Sequence, residues 1–71
     1  MHDDRRDETD AHLSQADAVW LAEIAGVFGE DRVDACAAGP EGRGEPGSAL
    51  RRAYEERQRA YAQWRRARGL G

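Results

Sequence analysis

The chain has 71 residues, and 39% of them are hydrophobic, but 13 of the hydrophobic residues are alanine. It holds one domain at most, with few large side chains to bury. The net charge of −3 is unevenly placed: residues 1–47 carry 12 acids and 4 arginines, residues 48–71 carry 2 acids and 7 arginines, and lysine is absent. No apolar run reaches the length of a membrane span, and Cys36, the single cysteine, excludes an internal disulfide.

Residues 1–12, MHDDRRDETDAH, are charged and lack apolar periodicity, which predicts a flexible charged tail. Their polarity also predicts that the chain carries no signal peptide.

A single helical domain is expected over residues 13–69. Its first helix, about 14–28, opens on Ser14 with Asp17 three residues later, a capping-box pattern, and Leu13 stands where it can staple onto Ala18. Leu13, Ala16, Trp20, Ile24 and Val27 share one helical side, while Val19, Leu21 and Phe28 lie outside that seam. Gly29 supplies a stop, and Gly26 leaves room for a neighbouring helix. A short helix of about 31–38 follows, with Asp31 as its cap and Val33, Cys36 and Ala37 on one face. Residues 39–47, GPEGRGEPG, hold four glycines and two prolines and predict a loop that reverses the chain.

The last helix, about 48–68, starts at Ser48 and has the clearest pattern. Leu50, Ala53, Tyr54, Arg57, Ala60, Tyr61, Trp64, Ala67 and Arg68 recur at three- and four-residue spacing. Glu55 and Arg59 are spaced for an ion pair on the outer face, and arginines crowd the last turn, where the helix dipole favours cations. Large side chains on one stripe against small ones on the other predict an all-α fold: an antiparallel two-helix hairpin with a short intervening helix. Arg57 breaks the apolar stripe. We expect it to lay its stem on Tyr61 and Trp64 and reach water, with Asp17 and Glu23 as the alternative acceptors.

A lone hairpin covers each helix on one side only, so self-association into a four-helix bundle, or a protein partner, is expected to complete it. The predicted function is therefore a protein–protein interaction module: an adaptor, accessory subunit or inhibitor acting in the cytoplasm. The candidate contact residues are Trp20, Phe28, Tyr54, Arg57, Tyr61 and Trp64, because aromatics and arginine dominate interface energetics.

The alternative is a small DNA-binding transcriptional regulator. Residues 22–38 place Ala22 four before Gly26, as in a helix-turn-helix, but the reading helix would carry Asp31 and Asp34, which repel phosphate. Arg59, Arg65 and Arg66 could meet a DNA backbone, although Glu55 and Glu56 interrupt that face. His2, His12 and Cys36 are too scattered for a metal site, Cys36 has no histidine nearby, and the glycine-rich stretch lacks phosphate-loop spacing. No enzyme, cofactor or metal is expected. Nor is membrane binding, since Leu50 is the one strong aliphatic residue of the last helix.

Overall fold

The computed structural model describes residues 4–70, with side chains placed from Arg6 onward. Three α-helices, α1 (Asp4–Phe28), α2 (Val33–Ala38) and α3 (Ala49–Ala67), account for most of it, and no strand occurs among the described residues. Short 3₁₀ turns at Glu30–Arg32 and Pro40–Arg43 flank α2.

The two long helices lie side by side in opposite directions. Asp10 meets Trp64, His12 meets Gln63, Asp17 meets Arg57 and Trp20 meets Tyr54, so each step forward along α1 is a step back along α3. The segment from Glu30 to Arg43 folds over one face of this pair at its closed, loop end. Its Cys36 joins Trp20, Ile24, Leu50 and Ala53 in the core, with Val33 and Ala37 from the same segment and Leu21, Phe28 and Tyr54 packed around them. Ile24 and Cys36 are fully buried.

Trp20 ties this cover down. Its indole Nε1 donates to the Gly42 carbonyl at 2.7 Å, in a buried bond 22 residues apart in sequence. Gly42 has to be glycine, because a Cβ there would stand 2.7 Å from the Cys36 carbonyl oxygen and 3.1 Å from Trp20 Cζ2. Gly44, at φ +72°, turns the chain into α3 hard against the Arg51 backbone, in a conformation side chains rarely adopt. Ser48 then caps α3, its Oγ accepting from the Arg51 amide at 3.0 Å.

The structure departs from the sequence expectation at several points. Helix α1 begins at Asp4, so residues 4–12 are helical where a tail was expected; His2 lies outside the described residues. Ser14 is therefore an interior residue, and neither its capping box nor the Leu13 staple forms. The extension is held by polar contacts to α3, which an apolar periodicity cannot reveal. Asp31 does not cap α2 either: it sits inside the preceding 3₁₀ turn, and Arg32 at the cap makes no side-chain bond. Val27 is 61% exposed, outside the core assigned to it, and a Cβ at Gly26 would meet no other part of the chain within 4 Å, so no neighbouring helix packs there. Arg59 pairs with Glu56, one turn back at 2.8 Å, instead of Glu55.

Replacing Trp20 with Phe keeps the ring but leaves the buried Gly42 carbonyl without its donor. Urea denaturation should show a loss of about 1–3 kcal/mol. Gly42→Ala should cost a similar amount by overpacking, about 1–3 kcal/mol. A variant of either kind as stable as the parent would mean that the cover is not fastened there.

Candidate functional site

Polar contacts along the α1–α3 seam account for several of the residues singled out by sequence. Arg57 Nε donates to Asp17 Oδ1 at 2.7 Å, and its guanidinium lies over the Trp20 ring at 4.6 Å. The expectation that it would snorkel along Tyr61 and Trp64 is corrected: the acceptor one helix away and the indole face together hold the head in place. Trp64 Nε1 donates to Asp10 at 2.6 Å, and Arg68 contacts both oxygens of the same carboxylate at 2.7 and 2.9 Å while lying over the Trp64 ring. His12 bridges Glu56 at 2.7 Å and Gln63 at 3.0 Å.

The six candidate residues fall into different environments. Trp20 is 6% exposed and belongs to the chain's own core. Tyr54 is half-buried with its ring tilted on Trp20, and Arg57 and Trp64 are half-buried in the seam contacts just described. Tyr61 is 40% exposed and stacks on Trp64 with ring centroids 5.7 Å apart. Phe28 is half-buried and lines a surface groove, so Tyr61 is the one of the six that is exposed.

The groove, about 540 Å³, lies at the loop end between α1, the 3₁₀ turn after Gly39 and the start of α3. Val27, Phe28, Pro40, Ala49 and Leu50 form its apolar lining, and Glu23, Glu41 and Glu45 stand around it. These three carboxylates have no ion-pair partner among the described residues. A second, smaller depression of about 270 Å³ lies further along the same two helices, lined by Ala16, Val19 and Ala53 with His12, Gln15 and Glu56. Val19, Glu23 and Val27 follow one another at four-residue intervals on α1, and Ala49, Ala53 and Glu56 do the same at four and three on α3. The two depressions therefore follow the same edge of the helix pair, the first bounded also by Pro40 and Glu41 of the cover and the second by the two helices alone. The helical spacing of Val27 from Trp20 and Ile24 predicts a core position; it lies instead in the last turn of α1, where it opens on the groove.

Charge is distributed lengthwise. From Glu23 to Leu50, the loop end, there are six carboxylates and two arginines. Residues 4–12 and 59–70, which meet at the open end, hold four carboxylates and six arginines. Among the described residues no three His, Cys, Asp or Glu side chains gather to hold a metal ion, and no helix is long and apolar enough to cross a membrane. Cys36 is buried and far from any histidine contact.

Two carboxylates of the seam titrate below their ordinary values. Hydrogen bonds from Arg68 and then Trp64 hold Asp10 down, and hydrogen bonds from Arg59 and then His12 do so for Glu56. A depressed carboxylate stabilises the fold above its unfolded-state pKa, and that contribution is lost as pH falls through the folded value. Both groups lie in solvent, so the effect weakens with salt. The first three turns of α1 should therefore stay helical at neutral pH and loosen in acid, below the ordinary carboxylate range of 3.8 to 4.5. Carbon-13 secondary shifts of residues 6–12 followed against pH will check this. Asp10→Asn should produce the same loosening at pH 7, and unchanged shifts in that variant would contradict the role given to Asp10.

No family model matches this chain, and it has no match among curated proteins or solved structures, so its function is argued from its own surface.

Proposed function

We propose that this protein is a small protein–protein interaction module whose contact surface is the uncovered face of the α1–α3 pair. The observation that carries the proposal is that the Glu30–Arg43 cover leaves part of the helix pair bare, with Val19 49% and Val27 61% exposed. A helix pair with one bare apolar face lacks the last layer of a helical bundle. Small side chains at Ala16, Ala49 and Ala53 leave space for a helix from a second polypeptide chain to approach closely. An adaptor, accessory subunit or inhibitor works through such a surface.

The DNA-binding alternative draws less support. The would-be reading helix α2 has six residues, its Cys36 is buried in the core, and Glu30, Asp31 and Asp34 precede or open it. Arg59, Arg65 and Arg66 remain exposed on α3, and an electrostatic test addresses them.

Val19→Asp with Val27→Asp should leave the chain helical by circular dichroism, because both side chains are exposed in the single chain. The same pair should abolish co-purification of the partner from source cells and its binding when that partner is purified and mixed back. Retention of the partner by the double variant would refute the assignment of this face. In parallel, random duplex DNA at moderate salt should not shift with the parent protein. Salt-sensitive binding lost on replacing Arg59, Arg65 and Arg66 would instead favour a DNA-binding regulator.

A further inference from the structure

We infer that the occupant of the uncovered face is a second copy of this chain, packed antiparallel across a two-fold axis so that two helix pairs form a four-helix bundle. The inference rests on the assignment of that face as a docking surface and adds the identity and direction of the partner.

The first support is that both halves of a complementary contact are present on one chain. The loop end offers apolar surface at Val27 and Phe28 with Glu23, Glu41 and Glu45 unpaired around it. On α3, Arg52, Arg59 and Arg66 recur every seven residues, and each lies three positions beyond Ala49, Glu56 and Gln63 in turn. That spacing runs an arginine row along the edge of the same uncovered face. Arg66 has no ion-pair partner among the described residues.

Direction follows from electrostatics. Parallel packing would place the Glu23, Glu41 and Glu45 clusters of both copies together, and like charges at an interface cost several kcal/mol. Antiparallel packing lays each acidic loop end on the other copy's arginine-bearing open end. A two-fold axis then repeats the contact, so it closes at two copies and does not grow into a filament. The face has room for a partner helix: Ala16 and Val19, near the middle of α1, open on the smaller depression, and a Cβ at Gly26, toward the end of the same helix, would meet nothing within 4 Å. The core gives the same direction of pull. Of its seven buried side chains only Trp20, Ile24 and Leu50 are large, which is little for a free-standing domain of this size.

The full chain should sediment at twice its 7.9 kDa mass and dissociate more readily as salt is raised. Glu41→Arg with Glu45→Arg should weaken the dimer by about tenfold or more, and so should Arg59→Glu with Arg66→Glu. All four side chains are exposed or at the edge of the fold, and circular dichroism will verify that each variant remains helical. Mixing the two variants should restore a one-to-one heterodimer, since each reversed site then meets its opposite; misfolded proteins would not recover in this way. The inference is overturned if the parent stays monomeric at roughly millimolar concentration, if the reversed variants dimerise as the parent does, or if the mixture fails to recover. A monomeric parent that still captures another protein through Val19 and Val27 would remove the second copy and leave the interaction role standing. A monomer with no such capture would remove both.

Discussion

The structure depends on one indole. Trp20 projects from the middle of α1 and is engaged from three directions: its Nε1 by the Gly42 carbonyl, its ring by the tilted Tyr54 ring 6.5 Å away, and its face by the Arg57 guanidinium. Those neighbours belong to the cover and to α3, so a single side chain joins all three parts of the fold. Burying it contributes about 2–3 kcal/mol by area alone. Its hydrogen bond matters in addition because both the donor and the acceptor would otherwise be stranded out of water. The Gly42 approach follows from this: the carbonyl reaches the indole because no side chain holds the turn away.

Beyond Trp20, toward the open end, the composition runs short of apolar bulk and the seam becomes ionic. Asp17–Arg57, His12–Glu56 and Asp10–Arg68 succeed one another along the helix pair, each partly in solvent. Exposed pairs of this kind add little to stability. Their effect is on alignment, since a slip of one turn would set Asp17 opposite Ala53 or Tyr61 and Glu56 opposite Glu8 or Ala16. The uneven charge of the two halves of the sequence is thus partly neutralised inside the molecule. What remains is a polarity along its 44 Å length, acidic at the loop and basic at the open end.

How much of this was legible in the sequence varies by element. The stripe from Leu50 to Trp64 was readable because large side chains recurring every three or four residues match the turn of an α-helix and not the two-residue alternation of a strand, and Ser48 marked its start. The extension of α1 to Asp4 was not, because Asp10 and His12 carry the seam there and a polar seam looks like a solvated face. Arg57 was ambiguous for the same reason: its acceptor, Asp17, lies 40 positions away, and its aromatic neighbour proved to be Trp20 across the seam. The groove was the least visible feature. It arises where Val27 opens to solvent in the last turn of α1 and where a glycine-rich loop folds back to supply Pro40 and Glu41, and the path of such a loop is not written in its composition.

The burial of Cys36 has a consequence for how the molecule reports on itself. The thiol is 1% exposed, under the segment that Trp20 fastens. A sulfhydryl reagent has to wait for that segment to lift before it can react, so its rate of attack counts those openings. Because the protein has no other thiol, the signal comes from this one place and clocks the motion of the cover without any label being introduced.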